Sequence, residues 1–273
     1  MAPSPRGAVR LACIAVFNQK GGVGKTTTVL NLAGVMAQEG HQPLTIDLDP
    51  QANLSSIAGL AVAPQESVYG FYKDGRTLAD LARPTPAGWW IIGSNLELSK
   101  VDTQFGKGPN ILNRLKNGLA GGPLAARPVI IDCCPLIGVL SLSAIFAADR
   151  VLIPVSADYL AVKGAMLVDR TLNALQRVIG HRIERRYVMT RFDGRRNMSW
   201  DILESLKTSF GADLCESRIS ENVHIAESPY KSSDVFVHAP GSRGAADYRA
   251  LYDELTQARF FGEGFVKREA AAA

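Results

Sequence analysis

No run of apolar residues in this chain approaches the roughly 18 needed to cross a bilayer, and Met1 to Arg10 lacks the apolar segment of a secretory leader. A cytoplasmic protein is therefore expected. Cysteine is scarce: the four thiols stand at 13, 133, 134 and 215, with no C-x-x-C pair and no His at ligand spacing. That argues against a cysteine-held metal cluster and leaves the thiols as reduced and buried. The four His, at 41, 181, 224 and 238, are scattered and carry no ligand signature. No stretch is polar or Pro/Gly/Ser-rich enough to be a linker, and no internal repeat is visible. One domain is expected over residues 11–258, with a flexible N-terminus at 1–10 and a tail at 259–273.

Helix-period and strand-like segments alternate along the chain, as a parallel α/β sheet requires. Strands are expected at 11–17, 44–47, 89–92, 129–132, 151–154 and 187–190. Helices are expected at 26–39, 110–119, about 162–179, 199–210 and 245–258, while residues 59–86 carry no clear pattern. The fold class is thus α/β: a mostly parallel twisted sheet with helices on both faces.

The most informative stretch is Asn18-Gln-Lys-Gly-Gly-Val-Gly-Lys-Thr-Thr-Thr28, set between an apolar strand and a helical pattern. Gly21, Gly22 and Gly24 let the backbone turn its N–H groups inward without a Cβ in the way. With Val23, Thr27 and the helix N-terminus beyond, they cradle anionic phosphate. Lys25 can reach terminal phosphates, and Thr26 can place its hydroxyl on magnesium. The strict G-x-x-x-x-G-K-[ST] pattern fails, because Gln19 stands where its first glycine belongs and an extra lysine, Lys20, precedes the glycine pair.

Asp47 and Asp49 end the strand at 44–47 in Asp-Leu-Asp-Pro-Gln. Open α/β sheets place ligands at the carboxyl ends of their strands. A carboxylate there can hold a magnesium-bound water or orient the attacking one. Asp-x-Asp-Pro also makes ordinary turns; its position 24 residues after Lys25 ties it to the phosphate loop. Asp132 ends the strand at 129–132 in the same way.

The variant Lys-Gly-Gly-x-Gly-Lys-Thr-Thr, preceded by Asn-Gln, resembles the ParA/MinD family of deviant-Walker P-loop ATPases, and within it the partition ATPases. The resemblance spans roughly residues 11–258 and is loose over 59–127. It implies ATP and Mg²⁺ as cofactors and a homodimer in the ATP state. Lys20 then reaches phosphates held by the partner subunit, and Asp49 serves hydrolysis. Asp132 matches the family's second acidic element and holds magnesium through a water. Pro229, in Ala-Glu-Ser-Pro, matches a segment near the adenine. After Asp132 the family commonly continues Cys-Pro-Pro-Gly, whereas this chain has Cys133-Cys-Pro-Leu-Ile-Gly138, one backbone-fixing proline fewer.

Charge is uneven. Between Arg170 and Arg196 eight arginines face only Glu184 and Asp193, a local excess larger than the whole chain's net +4. Such a window is a candidate footprint for nucleic-acid phosphates, a solvated basic face being the alternative. Relatives carry DNA-binding basic residues in a region where this chain has Glu221 and His224. Contact with nonspecific duplex DNA is therefore expected at Arg191, Arg195, Arg196, Arg218 and Lys231 instead. The resulting expectation is a nucleoid-associated ATPase that partitions or positions a plasmid, a chromosome region or a protein assembly. A ParB-like or adaptor partner would stimulate its hydrolysis. Two other readings are a MinD-like membrane-surface ATPase, for which Phe260 to Arg268 makes a poor interfacial helix with its two glycines and a glutamate, and a metal-cluster carrier or metabolic P-loop enzyme.

Overall fold

Short strands whose every residue is buried form the centre of the molecule, because helices cover both sheet faces. A computed structural model describes residues 11–106 and 108–265; the N-terminal ten residues and most of the expected tail lie outside the described residues. The strands are β1 (Cys13–Val16), β2 (Leu44–Asp47), β3 (Arg83–Pro84), β4 (Trp90–Ile92), β5 (Val129–Asp132), β6 (Arg150–Ser156), β7 (Glu184–Phe192) and β8 (Leu214–Ser220). They make one sheet in the order β3-β4-β2-β5-β1-β6-β7-β8, and only the β3–β4 edge pair is antiparallel.

Alternation along the strands divides the apolar residues between two cores. Cys13 and Ala15 face the layer of α2 (Val139–Ala147), α3 (Ala161–Ile179) and α4 (Asn197–Phe210). Ile14 and Val16 face α1 (Lys25–Gln38) and the C-terminal helix Arg243–Gln257. The doubly covered parallel sheet expected from the sequence is what the chain forms.

Three differences have local causes. The helix expected over 110–119 is two short ones, Pro109–Leu112 and Arg114–Leu119, interrupted at Asn113, whose side-chain amide donates to the Pro109 carbonyl. Strand β8 and helix α2 were not foreseen: Leu-Cys-Glu-Ser-Arg-Ile-Ser does not alternate cleanly, and Val-Leu-Ser-Leu-Ser-Ala-Ile-Phe-Ala is apolar on nearly all sides. Phe260, Phe261 and Phe265, assigned to the tail, are buried in the α1 core, and the Phe261 carbonyl accepts from the Ala12 amide.

Candidate active site

Parallel pairing brings the ends of β2, β1 and β5 together: Asp132 is opposite Asp47 on one side and Val16 on the other. The phosphate loop leaves β1 at this point, so Lys25 and the two carboxylates meet although they are far apart in sequence. Gly22 and Gly24 adopt φ of 73° and 89°, the left-handed region in which a side chain is strained. The Thr28 amide closes the first turn of α1 on the Gly24 carbonyl at 2.9 Å. No acidic residue occupies that turn, so the positive end of the helix stays available to an anion.

Lys25 is largely buried, and its Nζ donates to the Lys20 carbonyl at 3.0 Å, lying across the loop. Burial lowers its pKa, and the nearby negative charge of Asp132 raises it in part. Lys20 points elsewhere. Its ammonium pairs with the Asp158 carboxylate, which also accepts from the Ser156 hydroxyl at 2.5 Å and the Leu160 amide at 3.2 Å. Burial alone would raise the Asp158 carboxyl, but the bonds from Lys20 and Ser156 hold it below its ordinary value.

Asp47 is completely buried and well partnered. Its Oδ2 accepts from the Ser55 amide at 2.9 Å and hydroxyl at 2.7 Å, and its Oδ1 from the Asp49 amide at 3.1 Å. Ser94 completes the network, donating from its amide to Ser55 Oγ at 2.8 Å and from its hydroxyl to the Asp49 carbonyl at 2.7 Å. Asp132 is the opposite case: both carboxylate oxygens are buried and neither has a hydrogen-bond partner among the described residues. Burial, then repulsion by Asp47, pushes its pKa well above the ordinary value, with Thr26 and Lys25 pulling it back. A buried carboxylate beside a threonine hydroxyl and a lysine, with its lone pairs unused, fits a hydrated magnesium ion.

The cleft in front of these groups has a volume of about 440 Å³. Gly21, Gly22, Gly24, Lys25, Thr26, Thr27 and Asp49 line its floor, while Asn222, Ile225, Ala226, Pro229 and Tyr248 line the far wall. Val23 is buried behind the loop, where its carbonyl accepts from Thr190 Oγ1 at 2.9 Å. Pro229 therefore lines the same cleft as the phosphate loop. Ser55, Asp158, Thr190 and Asn222 were not singled out from sequence. Thr190 ends an expected strand and could have been found by the rule that located Asp47; Ser55 and Asp158 lie in segments after the expected strands 44–47 and 151–154, and Asn222 follows a strand with no clean alternation.

The arginine window disperses on folding. Arg185 is buried, giving its guanidinium to Asp169 at 2.7 Å, Asn173 at 3.0 Å and Gln176 at 2.7 Å, so it is no phosphate contact. Arg195 and Arg196 are exposed, as expected, but both pair with Asp193, at 2.9 and 3.2 Å. Arg218 lies 5.0 Å from the Phe192 ring and 5.5 Å from that of Trp200, beside the same turn. Arg191 lines the cleft with φ of 54°, a backbone conformation rare for a non-glycine residue. Lys231 stands beyond Pro229, over the Tyr230 ring.

One prediction arises here. Burial raises Asp47 to about 6 from 3.8, so between those values the folded chain holds a proton that the unfolded chain has released. Folding stability of the nucleotide-free protein should then fall as pH rises from about 4 through 6, and the raised carboxyl of Asp132 carries the fall further in the same direction. Thermal melts across pH 4.5–8 test this; Asp47→Asn, which cannot titrate, should flatten the profile relative to wild type.

A family model described as an AAA domain matches residues 11–185. The chain is 32% identical over 253 residues to the chromosome partitioning protein ParA of Myxococcus xanthus, covering 90% of this chain and 87% of that protein. It is 34% identical over 252 residues to the chromosome-partitioning ATPase Soj of Thermus thermophilus, covering 89% and 94%. Among solved structures, cobyrinic acid a,c-diamide synthase from Mycobacterium smegmatis with bound ATP analogue and magnesium superposes with a TM-score of 0.78 at 26% identity, covering 97% of this chain and 100% of that one. Phosphate loop, paired strand-end carboxylates, sheet order and these similarities agree: the chain belongs to the ParA/MinD family of P-loop ATPases.

Proposed function

We propose that this protein is a partition or positioning ATPase that binds Mg-ATP, dimerises around it, holds duplex DNA nonspecifically in that state and is released when a partner stimulates hydrolysis. The observation that carries the reading is the placement of Lys20. It is turned away from its own phosphate cradle onto Asp158, and exposed apolar residues flank it on both sides. Leu136 and Ile137 follow β5, and Tyr159 and Leu160 follow β6, the strands on either side of β1. Exposed apolar residues on either side of the loop, with a lysine turned from its own phosphate cradle toward them, suit a second copy of the chain. The membrane reading loses its support, because the aromatics it needs at 260, 261 and 265 are inside the core.

Backbone amides of the loop and Lys25 bind and orient the phosphates, and Thr26 with Asp132 would hold magnesium, whose charge offsets that of the phosphates. Asp49, at the cleft floor, orients the attacking water, and Asp47 fixes the Asp49 backbone. Pro229 and its neighbours wall the base. Closing two copies face to face would exclude water from the phosphates and strengthen each of these interactions.

DNA binding is tested with Arg195→Glu/Arg196→Glu. The double variant should weaken binding to random duplex DNA while leaving ATP-driven dimerisation intact. Engagement of about four phosphates gives a slope of log affinity on log salt near −3.6. Because Asp193 competes with phosphate for both arginines, Asp193→Asn should strengthen binding. Fluorescence anisotropy across a salt series reads all three proteins. Salt-independent binding, or a double variant that binds like wild type, would return these arginines to a solvated surface.

A further inference from the structure

His224 and His238, scattered in the sequence, come together in the fold. Helix α5 (Val223–Tyr230) carries His224 and Glu227 one turn apart, and the short helix α6 (Val235–His238) ends with His238 facing them. His238 Nε2 lies 3.4 Å from Glu227 Oε2, and His224 Nδ1 lies 3.8 Å from the same oxygen. One donor atom from each residue falls within 4.8 Å of the other two. Ligands on a tetrahedral ion with bonds of 2.0–2.1 Å are about 3.4 Å apart, so two of the three edges are already near that length.

The cluster is held from outside. Asp234 caps α6, accepting from the Phe236 and Val237 amides at 2.9 and 3.0 Å. The Val235 amide donates to Asn31 Oδ1 of α1 at 2.8 Å, and Phe236 is buried. The turn between the helices is closed by the Ser233 amide on the Ser228 carbonyl at 3.1 Å. His238 is mostly covered, whereas His224 and Glu227 are about half exposed, leaving a side open to an incoming ion.

We propose that His224, Glu227 and His238 bind a divalent transition-metal ion of the zinc class, with one coordination position open to water. Two imidazoles and one carboxylate suit zinc, nickel or copper; magnesium prefers oxygen ligands. The site is therefore chemically distinct from the nucleotide magnesium, and the inference does not depend on the function proposed above. It has a structural consequence. Ile225, Ala226 and Pro229 of the same α5 wall the nucleotide cleft, and α6 is bonded to α1, so the ion clamps the cleft's far wall onto the phosphate-loop helix.

The test is calorimetric titration of zinc chloride into the full nucleotide-free chain, in a non-coordinating buffer with excess magnesium. One zinc per chain should bind in the micromolar range. His224→Ala and His238→Ala should each weaken it by at least about tenfold, and the double variant should abolish it. Cobalt(II) is the second probe, gaining visible absorption on leaving six-coordinate water for this site and losing that gain in the double variant. Absence of zinc binding at micromolar concentrations would leave an ordinary imidazole–carboxylate pair and overturn the proposal. So would zinc affinity unchanged in the double variant, or a cobalt spectrum like that of the aqueous ion.

Discussion

Lys25→Ala should leave a folded protein that no longer binds Mg-ATP. Asp47, Asp49 and Asp132 converge on the phosphate end of the cleft, and Lys25 is the buried cation among them. Without it a polyanion would approach three carboxylates with only the loop amides to offset them. Truncating one partner of a buried, hydrogen-bonded charge pair costs on the order of 2–5 kcal/mol, or about 30- to several-thousand-fold in affinity. Folding should survive, because among the described residues the Lys25 ammonium makes one hydrogen bond, to the Lys20 carbonyl, and its stem lies at a helix start closed by backbone. Isothermal titration of both proteins with Mg-ATP checks this. A variant that binds within threefold of wild type would mean the phosphates do not lie against this loop.

The second large effect separates binding from switching. Lys20→Ala should keep nucleotide but lose ATP-driven dimerisation, since Lys20 contributes to the cleft floor only through its backbone carbonyl and spends its charge on Asp158. Asp49→Ala should dimerise and then stall. General acid–base assistance is worth roughly 10²–10⁴ in rate, and a drop of about a hundredfold or more is expected. Asp49 is replaceable without unfolding: among the described residues its side chain accepts only from the Gln51 amide, at 2.9 Å, and the Asp47–Ser55–Ser94 network uses its backbone. Light scattering with ATP and with ADP, beside phosphate-release assays, reads both variants. Dimerisation of Lys20→Ala like wild type would remove the cross-subunit role; normal turnover by Asp49→Ala would move hydrolysis to another group.

The phosphate loop was legible because its chemistry is local. Left-handed glycines, a lysine and a helix start lie within a few consecutive residues, and no distant contact is needed to bring them together. Asp47 and Asp132 were legible for a related reason: each ends a short, mostly apolar strand, and parallel strands deliver their carboxyl ends to one edge.

What the sequence by itself determined is therefore the fold class and the phosphate cradle, written in local backbone preference and strand patterning, and the family, through the resemblance its loop motif carries. Tertiary structure alone decided the rest. Which arginines remain free depended on partners far away or across a turn: Asp169 buried Arg185, and Asp193 engaged Arg195 and Arg196. That Lys20 rests on Asp158, that Ser55 and Ser94 hold Asp47, and that His224, Glu227 and His238 converge are matters of strand order and helix docking. Periodicity says which face of an element is buried. It does not say which other element meets that face, because that choice is made by packing across the whole chain.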